Sequence, residues 1–136
     1  MKQNAKPRKI LVVDDDPIIR DMMVDMLDLE GYPVRTARNG REALELLHSE
    51  ENYLVFLDLM MPGMSGFEMV ARLRAQPAAA GIPVMIVSAK ELTAEDVLTL
   101  NGHIQRFVAK GSIEPEGLTN AVRQMLGQSK TQGAAA

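Results

Sequence analysis

The sequence predicts an α/β fold: one five-stranded parallel sheet of order 2-1-3-4-5 with helices on both faces. Three observations point there. Short apolar runs rich in branched residues alternate five times with segments of helical period. The runs are continuous, as in strands buried on both faces of a parallel sheet. Right-handed crossovers between such strands then distribute the helices over both faces.

The first strand runs from Lys9 to Val13 and empties into Asp14, Asp15, Asp16 and Pro17. Asp16 before a Pro at the first helical position is a good N-cap, whereas Asp14 and Asp15 are not explained by capping. From Pro17 to Glu30, Ile18, Ile19, Met22, Met23, Met26 and Leu27 recur at helical spacing, and Gly31 ends the helix. The methionine stripe reads as core. Pro33 to Ala37 is a short second strand, and Asn39-Gly40 opens a helix carrying Ala43, Leu44 and Leu47 to about Ser49.

The third strand, Tyr53 to Leu57, delivers a single carboxylate, Asp58, just ahead of a Pro62-Gly63 breaker. A helix follows from Ser65 or Gly66 to Ala75, and Pro77 to Gly81 is a loop. Ile82 to Val87 is the fourth strand, ending in Ser88-Ala89-Lys90. Thr93 caps a short helix that closes near Asn101-Gly102. Ile104 to Ala109 is the fifth strand, with Phe107 in it and Lys110-Gly111 after it. The last helix spans Glu114 or Pro115 to Leu126.

A chain of 136 residues fits one domain. With 46% hydrophobic and 24% charged residues it has a globular composition. Aromatics are 4% against 10 methionines, so the core is aliphatic and Met-filled. The absence of cysteine excludes disulfides, thiolate chemistry and Cys-based zinc sites. A net charge of −3 argues against nucleic acid as a direct partner. No apolar run approaches the roughly 18–20 residues of a membrane span, and no signal peptide is visible, so the cytoplasm is the expected compartment. Residues 1–8 and 127–136 read as frayed tails around a domain of residues 9–126.

The carboxyl ends of the strands carry the chemistry. Asp14 and Asp15 follow strand one, Asp58 strand three, Ser88 strand four and Lys110 strand five. In the order 2-1-3-4-5 the connectivity reverses between strands one and three, the place where open sheets bind ligands. Packed acids repel one another and need compensation. A hard divalent cation such as Mg²⁺ fits them, and Lys110 would add positive charge. Such a set suits stabilisation of a phosphoryl group in transfer, with Asp58 as the nucleophile. Singly, each residue has a plainer reading: a helix cap with solvated acids, a turn serine, a surface lysine. The coincidence at four strand ends favours the site. His48 and His103 have no partner at ligand spacing.

Ile-Leu-Val-Val-Asp-Asp-Asp, Leu-Asp-Leu-Met-Met-Pro-Gly-Met-Ser-Gly, Val-Met-Ile-Val-Ser-Ala-Lys and Phe-Val-Ala-Lys together resemble the motifs of response-regulator receiver domains. These are the CheY-like, flavodoxin-fold phosphoacceptors of two-component signalling, and the resemblance covers about Lys9 to Leu126. It implies a phosphoprotein rather than an enzyme proper, with Asp58 phosphorylated from a phosphohistidine donor. It also implies Mg²⁺ held by Asp15, Asp58 and the Met60 backbone carbonyl, with Asp14 acting through water. Ser88 and Phe107 take the places of the switch residues, and Lys110 that of the invariant lysine.

The implied partners are a histidine kinase or histidine phosphotransfer protein and a downstream protein target, with the chain a monomer or weak dimer. Two departures stand out. Gly111 follows Lys110 where receivers carry a cis proline, and a non-proline cis bond costs about 2.5–4 kcal/mol, so a trans or altered loop is expected. The segment Leu92 to Ile113 resembles receivers associated with hybrid kinases. Asp14 and Asp16 also fit the Asp-x-Asp of haloacid-dehalogenase-like phosphatases, although Pro17 and the lack of room for a cap domain oppose that. A flavin site of flavodoxin type would want a Ser/Thr/Gly-rich loop where this chain has acids.

Overall fold

The computed structural model describes residues 9–49, 53–76, 81–104, 106–109, 111, 114 and 116–125. Strands β1 (Lys9–Val13), β2 (Val34–Ala37), β3 (Tyr53–Leu57), β4 (Val84–Ser88) and β5 (Arg106–Ala109) alternate with helices α1 (Pro17–Leu29), α2 (Gly40–Ser49), α3 (Gly66–Arg74) and α4 (Ala94–Leu100). A last helix, α5, covers residues 116–125. The strands form one sheet in the order β2-β1-β3-β4-β5, and every pair is parallel. Sequence and structure agree on fold and order.

The pleat sorts the core into two layers. Ile10, Val12, Leu54, Phe56, Met85 and Val87 pack against Met23 and Leu27 of α1 and Leu118, Val122 and Met125 of α5. The alternate residues Leu11, Val13, Val55, Leu57, Val84 and Ile86 pack against Ala43, Leu47, Met69, Val70, Leu73 and Leu100 of α2, α3 and α4. Burial on both sides explains why these strands read as unbroken apolar runs. Met23 is fully buried while Met22 and Met26 lie at its edge, so the methionine stripe is core. His48 and His103 are exposed.

Helix ends follow the sequence signals. The Asp16 carboxylate accepts the Ile18 N–H at 2.9 Å, capping α1 with Pro17 in its first turn. At its other end Gly31 takes φ +83°, its N–H reaching Asp28 O at 2.9 Å while Tyr32 N–H reaches Leu27 O at 3.3 Å. That pairing returns the chain toward β2 and needs a residue at ease in the left-handed region. Three strands are shorter than expected, β2 by one residue because it begins at Val34 rather than Pro33. β4 begins at Val84 rather than Ile82, because Pro83 has no N–H to donate and contributes only its carbonyl, to Val55 N–H at 2.9 Å. β4 also runs one residue further, to Ser88, which pairs with Ala109; β5 begins at Arg106. Expectations for 1–8, 77–80, 126 and the 127–136 tail fall outside the described residues. Among the described residues no helix is long and apolar enough to cross a membrane.

Candidate functional site

Register builds the site. Val12 of β1 pairs with Phe56 of β3, and Val13 with Leu57. One residue further on, the Asp58 N–H donates to Val13 O at 3.0 Å and the Asp14 N–H to Ala37 O at 3.2 Å. The ladder therefore extends to both acids and holds them abreast. Asp14 and Asp58 are each 2% exposed, while Asp15 lies in solvent. Each of Asp14, Asp15 and Asp58 offers a carboxylate oxygen within 4.8 Å of the others. Asp16 is outside this group and spends its side chain on the α1 cap.

Three carboxylates so close repel by roughly 3–4 kcal/mol per pair at an effective dielectric constant of about 20. Backbone donors offset part of this: Asp16 N–H donates to Asp14 Oδ1 at 2.9 Å, and Met60 N–H to Asp58 Oδ1 at 3.2 Å. Arg20, one turn into α1, donates from Nη1 to the Asp14 carbonyl at 2.8 Å and brings a guanidinium beside the cluster. The donor set is all oxygen. Cis ligands of a Mg²⁺ lie about 3 Å apart and trans ligands about 4 Å, so an ordinary side-chain adjustment closes the spread. The residues fit such an ion.

Ser88, at the end of β4, is fully buried, and its Oγ accepts the Lys90 N–H at 3.3 Å. Phe107 stands opposite Ile86, two positions from Ser88 on the same face of the sheet. Its ring is half-buried and borders a cavity of about 260 Å³ between β5 and α4, lined also by Leu92, Val97, Leu100 and Ile104. Met60 is 58% exposed at the mouth of the acidic pocket, facing a surface recess shared with Lys90 and Phe67. Lys110 lies outside the described residues, as does its peptide bond to Gly111.

Three further contributors carry weak sequence signals. Arg20 reaches back six residues to Asp14, a spacing that no helical pattern marks. Gly66 sits where α3 begins, and a Cβ there would meet the Asp58 carbonyl and Leu59 Cα. Ser65 caps α3, its hydroxyl accepting the Glu68 N–H at 3.1 Å, and the close approach behind it leaves no mark in the sequence. Asp96, in the first turn of α4, pairs with the Lys90 ammonium at 2.8 Å.

A doubly wound parallel sheet with buried carboxylates gathered where its connectivity reverses defines an oxygen-donor pocket of the kind that handles phosphoryl groups with a divalent cation. The chain belongs to the response-regulator receiver domain family, whose model matches residues 10–123. Receiver domains are phosphoacceptor signalling switches rather than classical enzymes, and the haloacid-dehalogenase-like alternative finds no support.

Over 127 residues the chain is 35% identical to the DNA-binding response regulator MtrA of Mycolicibacterium smegmatis, a match covering 93% of this chain and 54% of that protein. It thus spans about half the length of that curated relative. The N-terminal domain of a response regulator receiver protein from Methanoculleus marisnigri JR1 is 38% identical with a TM-score of 0.72, covering 89% of this chain and 98% of that one. Response regulator TrrA of Thermotoga maritima, solved in complex with Mg²⁺ and BeF, is 34% identical with a TM-score of 0.76, covering 86% and 97%.

Proposed function

We propose that Asp58 accepts a phosphoryl group from a phosphohistidine on a histidine kinase or histidine phosphotransfer protein. The observation that carries this reading is the meeting of Asp14, Asp15 and Asp58 within 4.8 Å at the carboxyl edge of the sheet. An Asp58 oxygen attacks phosphorus, the P–N bond to the imidazole breaks, and the leaving nitrogen keeps the electron pair. Asp15, Asp58 and the Met60 carbonyl are the ligands assigned to Mg²⁺, with Asp14 acting through water. The ion supplies charge neutralisation between acceptor and donor. Burial of Asp58 excludes bulk water, and the Met60 N–H fixes the orientation of its carboxylate. Lys110 is assigned to pair with the transferred group.

The phosphoryl group brings new acceptor oxygens, which Ser88 is placed to meet. Phe107 then follows into the space Ser88 leaves, and the cavity beside its ring supports that movement. The signal is passed on as a population shift that changes the face formed by α4, β5 and α5, read by a downstream protein. The domain is taken as residues 9–126 between short tails, acting in the cytoplasm.

Acetyl phosphate with Mg²⁺ tests the assignment. Hydroxylamine-sensitive labelling should vanish in Asp58→Asn and survive in Asp16→Asn. The reverse pattern would return the chemistry to the first strand's triplet and overturn the reading.

A further inference from the structure

The two faces of the sheet carry helices of different charge. On one face α1 holds Asp21, Asp25 and Asp28 against a single base, Arg20. On the other face α2 and α3 hold Arg41, Arg72 and Arg74. Of the acids on those two helices, Glu42 and Glu68 are tied to Arg38 and Arg72 at 2.8 and 2.9 Å, which leaves Glu45. An open groove runs between α2 and α3, with a cavity of about 540 Å³. Half-buried Leu44 and Met64 form its floor, and the exposed Arg41, His48 and Arg72 stand along its walls with Glu45. Met64 can sit there because Gly40, opening α2, has no side chain: a Cβ would lie 2.7 Å from the Met64 sulfur.

Helix α1 has the complementary relief. Ile18, Met22, Asp25 and Leu29 follow one another at helical spacing and stand in one line, turned away from the buried Met23 and Leu27. Ile18 and Leu29 are 75% and 84% exposed, and Asp21 and Asp28 flank the line. Among the described residues neither Asp21, Asp25 nor Asp28 joins an ion pair, and Arg41 joins none either. The last turn of α1 carries no base, although the helix dipole favours a cation there. An apolar ridge edged by acids thus exists on one side of the molecule, and an apolar groove edged by arginines on the other.

We propose that α1 of one copy docks in the α2–α3 groove of a second copy, its Ile18–Met22–Leu29 ridge over Leu44 and Met64 and its aspartates beside Arg41 and Arg72. The two surfaces differ and lie on opposite faces of the sheet, so the contact is head-to-tail and each copy offers a ridge to one neighbour and a groove to another. A symmetric pairing of two α1 faces would set aspartates against aspartates. The 13 residues of α1 span about 20 Å. One helix of that length in one groove makes a contact at the small, transient end of protein interfaces, below about 1,200 Å² in total. Because α1 follows directly on Asp14 and Asp15, a copy seated on it stands beside the mouth of the acidic pocket.

Sedimentation velocity of the full chain, from about 10 μM to about 1 mM, tests it. The weight-average sedimentation coefficient should rise with concentration at low salt and rise less steeply at high salt, where the facing charges are screened. Asp25→Arg and Arg41→Glu change exposed positions outside the core, and each should weaken association by about tenfold or more. An equimolar mixture of the two variants should associate again, since each supplies the unaltered face that the other lacks, and that recovery also shows both to be folded. A wild-type chain that stays monomeric throughout would overturn the proposal. So would either variant associating as the wild type does, which would point to a symmetric contact through the face left unaltered, or a mixture that remains monomeric.

Discussion

Gly66 and Asp58 stand so close that no side chain fits between them: a Cβ on Gly66 would lie 2.5 Å from the Asp58 carbonyl oxygen and 2.6 Å from Leu59 Cα. The Gly66 N–H also donates to Leu59 O at 3.0 Å, so the first turn of α3 is fastened to the segment that carries Asp58. A helix start thereby fixes the position of a carboxylate eight residues earlier.

Replacing Gly66 by Ala should therefore act on stability and on chemistry together. The contacts are with backbone, which cannot swing aside, so overpacking of about 1–3 kcal/mol is expected. Thermal unfolding would read this as a melting point lowered by several degrees. Phosphorylation by acetyl phosphate should slow in the same variant, because the Asp58 carbonyl must shift. A Gly81→Ala control, whose added carbon meets nothing within 4 Å, should leave phosphorylation unchanged.

The acidic cluster should make the metal-free protein less stable than it would be without one of its acids. Asp15→Asn removes an exposed charge from the trio and should raise metal-free stability by about 1 kcal/mol, solvent screening having reduced the gross repulsion. Mg²⁺ should stabilise the wild type by about 2.7 kcal/mol at a hundredfold excess over its dissociation constant. The variant should gain much less. Melting curves with and without Mg²⁺ check both signs, and a variant stabilised equally by Mg²⁺ would remove Asp15 from the ligand set.

Arg74 should not tolerate exchange for lysine. Its guanidinium serves two carbonyls on different segments, His103 and Ile82, and an ammonium cannot reproduce that fork. Burial pushes its pKa below the usual arginine value, in the direction that disfavours the charge. Arg74→Lys is expected to cost about 1–3 kcal/mol in denaturant midpoints, with hydrogen exchange rising first in the turn after α4.

The fold was legible because the central strands β1, β3 and β4 carry their burial in their composition and α1, α3 and α4 carry N-cap residues. Lys9–Val13, Tyr53–Leu57 and Asp16-Pro17 are each explained by one local rule. The carboxylate trio was legible for a different reason: parallel strands in a known order must bring their carboxyl ends together, so Asp14 and Asp58 meet through topology. What the sequence concealed depends on side-chain reach. Arg20 to Asp14, Arg74 to His103 and Lys90 to Asp96 join residues whose spacing reflects no periodicity, and long flexible side chains leave no pattern behind. β4 begins later than its apolar run suggests, because Ile82 continues that run on the far side of Pro83 while the hydrogen-bonded ladder begins after it.

The Lys90–Asp96 contact carries a pH signature of known sign. The hydrogen bond from the Lys90 ammonium, and after it the Thr93 N–H, hold the Asp96 carboxyl below its ordinary value of 3.8. A carboxyl depressed in the folded state binds its proton less readily there than in the unfolded chain, so the native state gains stability above the unfolded value and loses it as pH falls through the lower, folded one. The contribution of the pair should accordingly be constant between about pH 5 and 7 and shrink below about pH 4. Glu42 is depressed in the same way by Arg38, so acid unfolding of the wild type alone would mix the two. The difference between wild type and Asp96→Asn isolates the pair, and urea midpoints from pH 3 to pH 7 should show that difference narrowing toward the acid end. A gap that widened as pH fell would mean that the carboxylate is held against its charge, contrary to an ion pair restraining the first turn of α4.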